Sequence, residues 1–252
     1  MTIPCVHWLP QNEHFEAVGV THAGHRRANN EDSFAVDQQH KVLMVSDGIG
    51  GHQAGETASA MAITQSMLGL QQGAELNAAI WGAHQQTVHA AQMNKRLKDM
   101  GATLVCAQYA GPDVELSWVG DSRAYLFDAD RPHLQQLTTD HTMLQRLLDE
   151  GEDVSPETAR QYGHILTTAI GSTQFQPDHI EQKTIHWSAN QLLLLCSDGL
   201  SDMLTPNQIT NIMVSSPQLA ILAERLLLAA LAAGGHDNIT LIIARKNHTP
   251  QL

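Results

Sequence analysis

The sequence predicts an α+β fold in which antiparallel β-sheets carry helices on their outer faces. Two patterns predict it. Short apolar runs bounded by Asp or Gly include a hairpin pair, and Ala-, Leu- and Met-rich helical stretches come in consecutive pairs, with no strict strand–helix–strand alternation. The length supplies a third observation: 252 residues, 42% hydrophobic and 16% charged, suit one domain spanning 1–252.

The elements follow in chain order. Val42 to Ser46 (VLMVS) reads as a buried strand. Glu56 to Leu70 and Asn77 to Lys95 have helix-like apolar spacing, with the methionines at 61, 67, 93 and 100 placed to fill helix-facing core. Thr103 to Tyr109 and Glu115 to Val119 form a hairpin through Ala110-Gly111-Pro112-Asp113. Asp149 to Gly163 is the longest irregular polar stretch and reads as a surface excursion. Leu192 to Ser197 (LLLLCS) reads as a further buried strand, as do the two strands of the hairpin. Pro206 to Ser215 is a helix entered through Thr205 as N-cap, Gln218 to Ala233 another, and Ile239 to Ala244 (ITLIIA) a closing strand. No repeat or low-complexity linker interrupts this order.

Charge and composition remove several functions. Lys and Arg number 14 against 26 Asp and Glu, a net charge of −12 that repels nucleic-acid backbones and anionic membrane surfaces. The most apolar stretch, Leu219 to Ala233, contains Glu224 and Arg225 and is too short to span a bilayer. The opening MTIPCVHWLPQNEH lacks a basic start followed by an apolar run, so no secretion signal is expected. Cys5, Cys106 and Cys196 are odd in number and form no CxxC pair, and the latter two sit in strand-like runs as small hydrophobes. A cytoplasmic chain without a disulfide framework is expected.

The chemistry collects where buried strands meet an aspartate. Asp47-Gly48 follows VLMVS, Asp121 follows WVG, Asp198-Gly199 follows LLLLCS, and Asp237-Asn238 precedes ITLIIA. One Asp-Gly is ordinary turn chemistry. Carboxylates converging from separate strands repel unless a cation lies between them, and an adjacent glycine lets a carbonyl approach as a further ligand. Four such sites point to a carboxylate-lined centre for Mg²⁺ or Mn²⁺ and name no reaction. The 15 histidines are scattered, with no HExxH or paired Cys/His spacing, and read as solvated polar residues.

The residues around those aspartates form an ordered series. It runs Arg27-Ala28-Asn29-Asn30-Glu31-Asp32, Asp47-Gly48-Ile49-Gly50-Gly51-His52 with Gly55-Glu56, then Gly101-Ala102-Thr103-Leu104. Val119-Gly120-Asp121-Ser122-Arg123, Leu137-Thr138-Thr139-Asp140-His141, Ser197-Asp198-Gly199-Leu200-Ser201-Asp202 and Asp237-Asn238-Ile239-Thr240 complete it. From about Gly19 to Arg245 the chain resembles the metal-dependent Ser/Thr protein phosphatases of the type 2C family, in their compact bacterial form.

The resemblance implies a four-layer αββα sandwich: two central antiparallel sheets flanked by pairs of helices. It implies that Asp47 bridges two metal ions, with the Gly48 carbonyl as a further ligand and Asp198 and Asp237 completing the first site. Asp121 matches a ligand of a third, weaker ion, with Asp202 a candidate contributor. Glu31 and Asp32 match acidic residues that hold metal-bound waters, and Arg27 matches the arginine that grips the substrate phosphate. The implied reaction is hydrolysis of phosphoserine and phosphothreonine in proteins by a metal-bridging hydroxide, opposing a Ser/Thr kinase. The cofactors are Mn²⁺ or Mg²⁺, two ions in the core site and a third held more weakly. The implied partners are phosphorylated proteins and a cognate kinase, with monomer as the default state.

Some relatives carry a histidine at the position of Ile49 to protonate the leaving oxygen. Ile49 cannot do so, which leaves a metal-bound water or His52 as the acid. A looser possibility is that His22 and His25, close to Arg27, contact substrate. Arg123 has a structural part in the motif. Residues 142–165 correspond to a flap beside the active site, with Met143, Leu144, Leu147 and Leu148 on one packed helical face. Its acidic Glu150-Gly151-Glu152-Asp153 would face substrate and favour basic or neutral flanks. Two other functions stay open at this point: a catalytically silent phosphoprotein binder, and a phosphatase of a small phosphate ester.

Overall fold

The computed structural model describes residues 5–8 (backbone alone), 14–50 and 53–247. The first half runs β1 (Cys5–Trp8), β2 (Phe15–His22), β3 (Ser33–Asp37), β4 (Val42–Ser46), β5 (Gly48–Ile49), α1 (Gln53–Gln71), α2 (Leu76–Met93), β6 (Gly101–Ala102), β7 (Leu104–Ala110) and β8 (Asp113–Val119). The second half runs β9 (Arg123–Asp128), β10 (His133–Gln136), α3 (Met143–Asp149), α4 (Pro156–Tyr162), β11 (Glu181–His186), β12 (Gln191–Cys196), α5 (Asp198–Ser201), α6 (Pro206–Met213), α7 (Leu219–Ala232) and β13 (Ile239–Lys246).

Two antiparallel sheets form the centre. One has the order β1-β2-β13-β12-β9-β10 and the other β11-β8-β7-β4-β3, while β5 and β6 make a separate two-stranded ribbon. The period-2 alternation of strand side chains assigns every layer. On β12, Leu193 and Leu195 point between the sheets, where they join Leu43, Val45, Val105, Leu116 and Trp118. Leu192, Leu194 and Cys196 point outward into α6 and α7. On the second sheet, Val42, Met44, Leu104 and Cys106 point outward into α1 and α2. The result is the expected αββα sandwich, with the one-turn α5 added to the α6–α7 layer.

Strands buried on both faces have near-continuous apolar sequences, which explains the legibility of VLMVS, LLLLC and ITLIIA. Capping fits as well. Thr205 Oγ1 accepts from Gln208 N–H and Pro206 opens α6. Cys106 and Cys196 are buried free thiols. Among the described residues no helix is long and apolar enough to cross a membrane.

Three expectations need correction. Met93 is 76% exposed at the last turn of α2, beyond Thr87, the last buried residue of that helix, whereas Met100 is buried. The stretch 149–163 is not wholly irregular: Ser155 caps α4 by accepting from Thr158 N–H, and Pro156 starts it. Leu148 is 48% exposed, so the packed face of α3 is limited to the half-buried Met143, Leu144 and Leu147. The whole excursion is closed at its base, where Thr142 bridges Leu166, Met143 N–H donates to the Ile165 carbonyl and Thr167 N–H donates to the His141 carbonyl.

Candidate metal centre

Antiparallel order brings the motif aspartates to one end of the sandwich. Asp47 leaves the end of β4, Asp121 follows β8, Asp198 follows β12 as the first residue of α5, and Asp237 precedes β13. Asp47, Gly48, Asp121, Asp198, Asp202 and Asp237 line a cleft of about 1230 Å³, with Arg27 and Glu31 on its wall. Asp32 lies beneath, buried, its Oδ2 accepting from the Ser197 hydroxyl at 2.8 Å. His52 lies outside the described residues.

The backbone is pinned around these groups. Thr103 accepts from the Asp47 N–H through Oγ1 and donates its own N–H to the Asp47 carbonyl, both at 2.9 Å, and Oγ1 also meets Ser122 Oγ at 2.7 Å. Gly48 pairs with Ala102. A Cβ on Gly48 would collide with the Gly55 carbonyl and approach the Glu31 carbonyl to 2.7 Å, so only glycine fits there. Asn238 fastens the Arg27 loop: its Oδ1 accepts from Glu31 N–H at 2.7 Å, and its Nδ2 donates to the Ala23 and Asn29 carbonyls at 2.9 Å. Thr103, Ser197 and Asn238 stood inside the quoted motifs without a role, because a tethering hydrogen bond leaves no spacing signature in sequence.

The electrostatics are those of carboxylates crowded together and buried. Burial pushes the Asp47 carboxyl well above its usual range, and repulsion from Asp32, Asp198, Asp121 and Asp237 adds to it. Burial, then Asp198 and Asp140, pushes Asp121 up to about 8. Burial lifts Asp32 to about 7 against the Ser197 hydrogen bond. Burial with Asp202 and Asp237 lifts Asp198 to about 6. Asp32 Oδ1 and Asp198 Oδ1 are buried without a hydrogen-bond partner. An all-oxygen donor set with orphaned anionic oxygens fits hard divalent cations.

Arg27 sits at the cleft rim, 55% exposed, and its Nη2 donates to Asp237 Oδ2 at 2.6 Å. Arg123 also lines the cleft but is committed to a structural part there, forking onto Asp140 through Nε at 2.9 Å and Nη2 at 2.6 Å and reaching Tyr125 Oη at 3.2 Å. His22 and His25 pack edge to face, 6.4 Å between centroids, and neither lines the cleft. From the flap, Gln145, Arg160 and His164 line the cleft. The acidic run 150–153 does not, because it forms the turn at the far end of α3, where Glu150 accepts from Arg146 at 2.9 Å. His164 gave no sign in the sequence, since the contact it makes crosses between distant segments.

An αββα sandwich whose sheets deliver carboxylates to one cleft beside a rim arginine is a scaffold for cation-dependent phosphate chemistry. The family model described as Protein phosphatase 2C matches residues 16–239, and the chain belongs to that family. It is 35% identical over 226 residues to the serine/threonine protein phosphatase PstP of Mycobacterium tuberculosis, covering 86% of this chain and 42% of that protein. The chain thus spans less than half the length of that relative. It is 33% identical over 242 residues to the serine/threonine phosphatase stp of Listeria welshimeri, covering 90% of this chain and 94% of that one. Among solved structures, the catalytic domain of PstP in complex with two manganese ions superposes with a TM-score of 0.81 at 32% identity, over 93% of this chain and 99% of that one.

Proposed function

We propose that the chain is a divalent-cation-dependent phosphatase of phosphoserine and phosphothreonine in proteins, using Mn²⁺ or Mg²⁺ and opposing a Ser/Thr kinase. One observation carries the reading. Asp47, Asp121, Asp198 and Asp237 leave strand ends of both sheets into a single cleft, with anionic oxygens left over and a guanidinium at the rim.

In this reading Asp47, the Gly48 carbonyl, Asp198 and Asp237 hold the core pair of ions. Asp121 and Asp202 serve a third, and Glu31 and Asp32 hold waters around them. When bound, such ions supply a water of lowered pKa and neutralise the charge that the phosphate meets. The protein's own part is positioning. Thr103 fixes the backbone of Asp47 from both sides, and Asn238 holds the loop that presents Arg27. Arg27 offers a planar fork matched to two phosphate oxygens, and its exposure leaves it free to turn from Asp237 to substrate. Ile49, 37% exposed at the cleft, has no proton to give. The cleft is open and large enough for a segment of protein chain around the phosphorylated residue. The buried free thiols Cys106 and Cys196 suit a reducing compartment, in keeping with a cytoplasmic site of action.

The test is hydrolysis of a phosphothreonine peptide with Mn²⁺, with Mg²⁺ and with EDTA. Turnover that requires the cation supports the reading. Absence of turnover by protein that binds Mn²⁺ would favour a silent phosphoprotein binder.

A further inference from the structure

Three of the 14 Lys and Arg residues, Lys95, Arg96 and Lys98, fall within four positions of a chain whose net charge is −12. All three are exposed. Among the described residues Lys95 and Arg96 form no ion pair, and Lys98 meets only Asp99, at 4.0 Å with both side chains in solvent. Such a pair is weak. Arg123, Arg146 and Arg245, by contrast, each hold a carboxylate at 2.9 Å or closer. The basic cluster is nevertheless firmly placed. Lys95–Leu97 is a 3₁₀ turn that Asn94 caps by accepting from Arg96 N–H at 3.0 Å, and Leu97 packs on the core beneath α1 and α2. Buried Met100 donates its N–H to the Leu97 carbonyl at 3.2 Å.

The cluster adjoins the cleft. Just beyond it, Gly101 and Ala102 pair with Ile49 and Gly48. Gly50 lines the cleft, and a Cβ placed on it would lie 3.2 Å from Met100 Cα and 3.4 Å from the Asp99 carbonyl oxygen. Ile49, 37% exposed, stands opposite Gly101 at the same edge of the cleft. Lys98 is three residues from Gly101, at most about 10 Å of extended chain.

We propose that Lys95, Arg96 and Lys98 form a docking ridge for acidic residues, Asp or Glu, that flank the phosphorylated residue of a protein substrate. This rests on the proposed phosphatase function and deepens it by naming the substrate class. With the phosphate in the cleft, a chain leaving over Ile49 reaches the ridge about three to five residues on. Charge selects the occupant. An acidic segment is repelled by most of this acidic protein and attracted by the ridge, so it is steered to one side of the cleft. The net charge disfavours an anionic membrane or a nucleic acid, whose extended charge would face the other carboxylates as well. The preference is the reverse of the one expected from the acidic run 150–153, which does not line the cleft. Because the ridge touches no reacting atom, it acts on KM and leaves kcat alone.

The experiment uses the full chain with Mn²⁺ and phosphothreonine peptides that differ only at the third to fifth flanking positions, which carry Glu, Ala or Lys. Wild type is compared with the combined variant Lys95→Ala, Arg96→Ala, Lys98→Ala and with the reversal Lys95→Glu, Arg96→Glu, Lys98→Glu. Turnover of a small aryl phosphate, which cannot reach the ridge, reports an intact site in each. Wild type should favour the Glu peptide over the Ala peptide by at least about fivefold in kcat/KM, through KM, and salt should shrink that margin. The alanine variant should lose the margin at unchanged aryl phosphate turnover, and the reversal should favour the Lys peptide. Equal kcat/KM for Glu and Ala peptides in wild type, or a margin that survives in the alanine variant, would overturn the ridge and leave the phosphatase function standing. Ridge-dependent binding to phosphatidylserine vesicles without a peptide preference would overturn it in favour of a membrane surface. If wild type hydrolyses no phosphopeptide, fluorescence anisotropy reads the same peptides as ligands. A Glu preference lost in the alanine variant would then uphold the ridge and overturn the function, and no preference would overturn both.

Discussion

The Nη2 atom of Arg27 lies 2.6 Å from Oδ2 of Asp237, two side chains separated by 210 positions in the sequence. In the proposed function the pair joins two roles that meet in the cleft, a carboxylate that would bind a cation and a guanidinium that would bind phosphate. Each group competes for the other's natural partner. A cation at Asp237 would take over the negative charge that holds the arginine, which would couple occupancy of the core site to readiness for phosphate.

Arg27→Lys tests that arrangement. Lysine keeps the charge and loses the fork, removing one charge-assisted hydrogen bond of about 1.5 kcal/mol. Steady-state kinetics with Mn²⁺ should show KM for a phosphothreonine peptide rising about tenfold, with a smaller change in kcat. An unchanged KM would mean that Arg27 serves only as the partner of Asp237.

The raised carboxyl pKa values set a pH dependence whose sign runs opposite to ordinary acid denaturation. Asp198, Asp32 and Asp121 titrate at about 6, 7 and 8 in the folded protein, above their unfolded values. The folded state therefore holds more protons than the unfolded state between about pH 4 and pH 8, and these groups lose the protein stability as pH rises through that window. Metal-free protein should melt at a lower temperature at pH 8 than at pH 6. Mn²⁺ should raise Tm more at pH 8, where it replaces those protons. Calorimetry with and without EDTA measures both shifts.

Asn238→Ala removes the tether of the Arg27 loop. It leaves the Glu31 N–H and the Ala23 and Asn29 carbonyls without their partner, at a cost of about 2 kcal/mol. Misplacing Arg27 should lower kcat/KM by about tenfold or more. Thermal melts and kinetics on one preparation separate the two effects, and a loss of stability with full kcat/KM would confine Asn238 to a structural part.

Leu226→Ala tests the outer helical layer. Leu226 is fully buried on α7 against β2 and β13, and its truncation should cost about 2–5 kcal/mol. For a chain of this size that is a fall in Tm on the order of 5–15 °C, with KM unchanged because the site is built on strand ends. A large change in KM would show that the α7 layer positions the cleft.

Legibility in the sequence followed burial. β4, β12 and β13 are covered on both faces and announce themselves as apolar runs. β11, EQKTIH, lies at a sheet edge with an almost wholly exposed strand, and β10, HLQQ, is similar, so neither shows a hydrophobic period. β2 carries Gly19, whose missing side chain makes room for the Phe34 ring, and that packing need is invisible before the strands are paired. The aspartates were legible because each adjoins a buried strand or a glycine. The flap was legible as an excursion, but not its orientation. Which of its charges face the cleft depends on the Ser155 and Thr142 caps and the closure at Leu166, and these turn Arg160 and His164 inward in place of the acidic run.

The central claim is that carboxylates at strand ends hold the cations that cleave a phosphate ester. Its most direct test is Mn²⁺ binding and phosphate release from a phosphothreonine peptide, measured side by side on wild type and Asp198→Asn. The account predicts that wild type binds Mn²⁺ and turns over only when loaded, while Asp198→Asn loses bound ions and at least about a thousandfold in kcat. Turnover by Asp198→Asn at the wild-type rate, or wild-type turnover that persists in EDTA, would contradict it.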